Sequence, residues 1–181
     1  MVSSVHKVFV SYHHANDQAY RNKFEEILRD SEISILKSVQ LGDIDENLKT
    51  ETIRQKIRDD YLSDSTVTIV LIGTETWKRK HVDWEIGSSI RHTEKNSRSG
   101  LLGIILPSYP SYKENKYNPY TIPPRLNDNL ECDYAKIYPW NDNPQILKEW
   151  IHDAYNRRFK ANPNNVRPSF GQNRSGDRWF D

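Results

Sequence analysis

The run Thr66-Val67-Thr68-Ile69-Val70-Leu71-Ile72-Gly73 decides the fold. Its near-continuous apolar character marks a strand buried on both faces, as in a parallel sheet covered by helices on either side. A second run of the same kind, Leu101-Leu102-Gly103-Ile104-Ile105-Leu106, is stopped by Pro107. Working outward, Val8-Phe9-Val10 reads as a first strand and Ala135–Tyr138 as a last one, closed by Pro139. Ile33–Leu41, with apolar residues at 33, 35 and 39, reads as a shorter strand. Between these runs the period changes to that of helices. Tyr20, Phe24, Ile27 and Leu28 form one stripe; Ile53, Ile57 and Tyr61 form another within Lys49–Leu62; Val82, Ile86 and Ile90 form a third within Val82–Glu94. A last helix opens on Asn143 as N-cap and Pro144 at its first position, with Leu147, Trp150, Ile151 and Ala154 on its apolar face.

Strands that alternate with helices predict an α/β fold, a flavodoxin-like doubly wound parallel sheet of five strands in the order 2-1-3-4-5. That order opens a crevice at the carboxyl ends of the first and third strands, where the crossover direction reverses. Ser11-Tyr12-His13-His14, Gly73-Thr74-Glu75 and the helix start carrying Asp83-Trp84-Glu85 would line it.

Composition narrows the function classes. The 181 residues are 35% hydrophobic, and no stretch approaches the ~20 consecutive apolar residues of a membrane span. Aromatic residues at 11% argue against a disordered chain. Lys and Arg number 26 against 25 Asp and Glu, so the net charge of +1 predicts neither a nucleic-acid nor a membrane-surface partner. Cys132 is alone, which excludes an intramolecular disulfide, and the N-terminus has no secretory apolar segment. Both point to the cytoplasm. Residues 1–158 are expected to form one domain and 159–181 a polar, flexible tail, with docking through Phe170, Trp179 and Phe180 as the alternative. Ser108–Leu130, with four prolines, is expected to be an insertion rather than a regular element.

Several chemistries drop out. The seven glycines form neither G-x-x-x-x-G-K nor G-x-G-x-x-G, so no phosphate loop is present. The first strand ends in Ser-Tyr-His-His and lacks the acids of a phosphate-accepting receiver. The six histidines fall in no metal-ligand spacing, and no metal is expected. Ser11 has no G-x-S-x-G elbow around it. Glu85 remains. It stands beside Trp84 near the first turn of a helix, where a surface acid favoured by the helix dipole and a carboxylate projecting into the crevice are both open readings.

Lys7-Val-Phe-Val-Ser11-Tyr12 resembles the first-strand box of TIR domains. Val67–Thr74, Trp77 and Val82-Asp-Trp-Glu85-Ile resemble the TIR-like family of bacterial antiphage defence, the Thoeris signalling component. The likeness extends over residues 5–158 and departs from animal TIR domains in the acidic Gly42–Asn47 loop and the Tyr- and Pro-rich insertion. It implies cleavage of NAD+ at the nicotinamide–ribose bond by Glu85, with NAD+ as substrate and no resident cofactor. It also implies closure of ADP-ribose to a cyclic isomer that reaches an effector, a phage-derived trigger, and homo-oligomer formation. Ser11, Tyr12, His13, Thr74 and Trp84 would bind substrate, and the insertion would cover it. Asp43 and Asp45 flank the site as solvated loop acids. The alternative function is a non-catalytic TIR-like interaction module.

Overall fold

A computed structural model describes residues 6–36 and 47–179. The strands are β1 (Lys7–Ser11), β2 (Ser34–Ile35), β3 (Val67–Ile72), β4 (Gly100–Ile105) and β5 (Ala135–Pro139). The helices are α1 (His14–Leu28), α2 (Thr50–Lys56), α3 (Lys80–Ser89), α4 (Pro124–Glu131) and α5 (Pro144–Arg157). All strand pairs are parallel, in the order β2-β1-β3-β4-β5. This is the expected α/β flavodoxin-like arrangement, and β1 and β3 are neighbours at the point where the crossovers reverse.

Alternation along the strands sorts the core into two layers. Val8, Val10, Val67, Ile69, Leu71, Leu102 and Ile104 pack with Phe24 and Leu28 of α1 and Leu147, Ile151 and Ala154 of α5. The residues between them point the other way. Val70, Ile72, Leu101 and Ile105 meet Val82, Ile86 and Ile90 of α3 and Leu126 of α4, while Phe9 meets Ile53, Ile57 and Trp84. All six residues of β3 are buried, which is why its sequence is apolar without alternation. β4 opens on Gly100 because α5 passes close by: a Cβ there would stand 2.3 Å from the Ala154 carbonyl oxygen.

Several sequence expectations change. Among the described residues the second strand pairs through Ser34 and Ile35; residues 37–41 of the expected strand, with Asp43, Asp45 and most of the acidic loop, lie outside them. The helix expected over Lys49–Leu62 is α2 continued by a π-helical turn, Ile57–Tyr61. α3 stops at Ser89 rather than Glu94, because the Ser88 and Ser89 hydroxyls donate back to the carbonyls of Trp84 and Ile86 and Ile90 leaves the helical conformation. The insertion contains a true helix, α4, started by Pro124 at its first position. Among its buried residues are Arg125, Asn127 and Asn129, so no apolar stripe announces it. α5 begins as expected, with Asn143 Oδ1 accepting from the Gln145 amide at 2.9 Å.

Residues 159–179 carry no helix or strand, yet they lie packed on α3 and α4 where a free tail was expected. Asn164 exchanges two hydrogen bonds with the Asn129 side chain, at 2.8 and 2.9 Å. Phe170 and Trp179 are buried, and Trp179 donates its indole N–H to the Ile122 carbonyl at 2.9 Å. Backbone-directed bonds from Asn and Arg hold the segment, which is why its composition reads as polar and unstructured. No helix among the described residues is long and apolar enough to cross a membrane.

Candidate active site

Strand parity brings Ser11 and Glu85 together. Phe9 lies on the α3 side of the sheet, and two residues on, Ser11 lies on that side at the carboxyl end of β1. On α3, Val82 and Ile86 seat the helix against the sheet, and Glu85, one position before Ile86, is turned toward β1. The Ser11 hydroxyl donates a short hydrogen bond to Glu85 Oε2. Glu85 is 1% exposed and Ser11 fully buried. Burial pushes the Glu85 carboxyl up to about 8 against the opposing pull of the Ser11 hydrogen bond. Glu85 is therefore an uncharged, proton-bearing acid at neutral pH in this closed arrangement.

The β1–α1 turn that follows Ser11 is polar and is met by His81 of α3. His13 is buried, its Nδ1 without a partner among the described residues, and burial and the Arg79 charge hold its pKa down. His81, in the first turn of α3, donates from Nε2 to the Tyr12 carbonyl at 3.3 Å; burial takes its pKa down to about 4, so it is neutral. Tyr12 stacks on His14 at 4.4 Å between ring centres and donates its hydroxyl to Gln18 at 2.7 Å.

Asp17 is the residue the sequence did not single out, and it meets Gly73, which was expected in the crevice lining. Asp17, in the first turn of α1, is 2% exposed with Oδ2 unpartnered among the described residues, and burial raises its pKa to about 6. Its carboxylate occupies the space a side chain at Gly73 would fill: a Cβ there would stand 2.5 Å from Oδ2. The only sequence signal was a glycine ending the third strand opposite an acid in the first turn of α1.

The structure separates the other expected site residues from Glu85. Thr74 is exposed and lines a hollow with Trp77 and Tyr109. Trp84 is 6% exposed, packed against Phe9, Ile53 and Ile57, with its indole N–H donated to the Phe170 carbonyl at 2.8 Å. Its neighbour Asp83 is bound to Arg125 by two contacts, 2.9 and 3.2 Å, and both side chains are buried. Asp83 Oδ2 also accepts the Phe170 amide at 2.9 Å, and Arg125 reaches Asn165 at 2.8 Å. The acids at 83 and 85 thus have different work: Asp83 ties α3 to α4 and the C-terminal segment, while Glu85 faces β1. Among the described residues no cluster of three or more His, Cys, Asp or Glu is arranged to hold a metal ion.

The family model described as Thoeris protein ThsB, TIR-like domain, matches residues 9–111, a span that begins in β1 and contains Ser11, Asp17, Gly73 and Glu85. No curated protein matches the chain. With more than half of the sequence matched and the parallel five-stranded fold in place, the chain belongs to the Thoeris ThsB TIR-like domain family and has a TIR-like role in antiphage defence.

Proposed function

We propose that the chain cleaves the nicotinamide–ribose bond of NAD+, with Glu85 as the carboxylate that stabilises the developing positive charge. The released ADP-ribose moiety then closes on itself as a cyclic signal for an effector. The observation that carries this reading is the Ser11–Glu85 pair, a buried carboxyl group hydrogen-bonded to the residue that ends β1. One acid suits this bond. The electron pair leaves with nicotinamide, which departs neutral from a pyridinium and needs no proton, whereas an ordinary glycosidase must protonate an alkoxide. What the site must supply is charge stabilisation at the anomeric carbon, and an ionised carboxylate does that.

The raised Glu85 pKa fits such a cycle. Without substrate the group holds a proton at pH 7. A pyridinium brought beside it favours the ionised form, as an opposite charge within ~4–6 Å does for any carboxyl. Substrate thereby charges its own catalyst: the Glu85 proton passes to solvent as the pyridinium enters, and the Ser11 hydrogen bond holds the resulting carboxylate in place. Neutral His81 adds no competing positive charge. Closure to a cyclic product requires that a nucleophile of the same molecule, rather than water, reach the anomeric carbon, and that is a matter of positioning.

The alternative, a non-catalytic interaction module, is favoured by the 1% exposure of Glu85, since this closed arrangement admits no dinucleotide. One experiment separates the two. The full chain and Glu85→Gln are incubated with NAD+, alone and with lysate of phage-infected cells, and nicotinamide and nucleotide products are followed. Release by the parent chain and none by Glu85→Gln is the expected result. NAD+ left intact under both conditions refutes the enzyme and leaves the module.

A further inference from the structure

α3 carries Glu85 but has no side-chain cap of its own. Arg79, the residue before its first turn, makes no capping bond through its side chain. The free amides of the first turn and the free carbonyls of the last therefore take partners from elsewhere. The C-terminal segment supplies them at both ends. At the start, Asn173 Oδ1 accepts the Lys80 amide at 3.0 Å, and the Arg174 amide donates to the Lys78 carbonyl at 2.8 Å. At the far end, the Asn165 side-chain amide donates at 2.9 Å to the Gly87 carbonyl, which Arg54 Nη2 also reaches at 3.3 Å. Between these, Phe170 donates its amide to Asp83 Oδ2 at 2.9 Å and accepts the Trp84 indole N–H on its carbonyl at 2.8 Å. Residues 174, 173, 170 and 165 thus meet 78, 80, 83–84 and 87 in that order, so the segment runs antiparallel to α3 from end to end.

We propose that residues 163–179 are an autoinhibitory strap: held along α3, they keep Glu85 against β1, and their release lets α3 withdraw and uncovers the carboxyl group. The inhibition rests on Glu85 being the catalytic group, as proposed above. Glu85 rides on α3 between Trp84 and Ile86, and the strap grips the helix at the two residues before it and at both ends. A cap shifts the balance between an ordered and a released helix end by roughly fivefold, so two together shift it by roughly thirtyfold. A helix that took its caps from its own flanking residues would keep its place whatever the C-terminal segment did. The strap itself is lightly held. It contains no helix or strand, and among its described apolar side chains Phe170 and Trp179 are buried while Val166 is 87% exposed. Its remaining hold is polar, through hydrogen bonds that water replaces at small net cost and the Arg167–Asp128 pair.

The test compares the full chain with its double variant Asn165→Ala, Asn173→Ala. The two changes remove the strap's side-chain bonds at both ends of α3, with the Asn165 bond to Arg125, and leave Phe170, Trp179, Ser11 and Glu85 in place. Asn143→Ala, which removes the cap of α5, is the control for a comparable loss of stability far from α3. Uncovering of Glu85 is read, with no substrate present, as the rate at which carbodiimide couples its carboxyl group to glycine ethyl ester, followed by peptide mass spectrometry. The double variant should label Glu85 about tenfold faster than the parent or more, and Asn143→Ala should label it at the parent's rate. Given NAD+ and no trigger, the double variant should release nicotinamide faster than the parent by a similar factor. Unchanged labelling in the double variant, or equal acceleration by Asn143→Ala, overturns the proposal. So does faster labelling accompanied by measurable nicotinamide release at the parent's rate. If Glu85 is labelled faster and no form cleaves NAD+, with or without lysate of phage-infected cells, the catalytic reading fails and the strap stands as the cover of Glu85.

Discussion

Replacing Glu85 by Gln should make the protein more stable, by an amount that grows with pH. The Glu85 carboxyl lies at about 8 in the folded chain against an ordinary 4.5. Between those values the folded state holds a proton that the unfolded chain has released. Stability therefore falls as pH rises through the window, by about 1.4 kcal/mol per pH unit at full effect. Gln cannot ionise and escapes the loss, while its amide still offers Ser11 an acceptor. The gain should be about 1 kcal/mol at pH 5, about 3 at pH 7 and about 5 at pH 9, where it levels off. In a chain of this length each kcal/mol moves the melting temperature by roughly 2–4 °C, so Glu85→Gln should melt about 6–12 °C higher at pH 7. Calorimetry of both proteins at pH 5, 7 and 9 measures the difference directly, and the titration of groups common to both cancels. A gain that is flat with pH, or a variant less stable than its parent at pH 9, would refute the argument that Glu85 is buried without a compensating charge.

Two further outcomes follow from buried contacts. Asp83→Asn breaks the charge pair with Arg125 and should cost about 3–5 kcal/mol, with limited proteolysis then cutting first within residues 163–179; uniform cleavage across the chain counts against Asp83 as the anchor of that segment. Gly73→Ala drives a methyl group into the Asp17 carboxylate and should cost about 1–3 kcal/mol, most of it recovered when Asp17→Ala is added, and urea unfolding of the single and double variants that shows no recovery places the strain elsewhere.

The parts of the fold that were legible in the sequence are those where burial is two-sided. β3 and β4 declared themselves as unbroken apolar runs, and from them the parallel sheet and the crevice between β1 and β3 followed. Asn143 and Pro144 marked the start of α5 because capping chemistry is local. α4 was not legible, since it buries Arg125 and Asn129 by giving each a distant partner and Asn127 by a bond to Glu131, and such partners leave no apolar periodic trace. The C-terminal segment was hidden for the same reason: Asn164, Asn165 and Arg167 find their partners on α3 and α4. At the candidate site, the strand order placed Ser11 in the crevice, as the end of the first strand. Asp17 depends on the close approach of α1 to Gly73, which no spacing encodes.

α3 is covered on every side: from Val82 to Ser89 each residue is buried, although half of them are polar. A helix of ten residues is marginal in water by itself, and this one borrows its order from the sheet, α2, α4 and the C-terminal segment together. Its amides should therefore open to solvent as one cooperative unit with α4 and residues 163–179, and not by fraying from either end. For a protein that answers infection, such a unit sets a time scale. The rate at which this block detaches bounds how quickly Glu85 can be uncovered, and hydrogen exchange at the α3 amides reads that rate without any substrate in the tube.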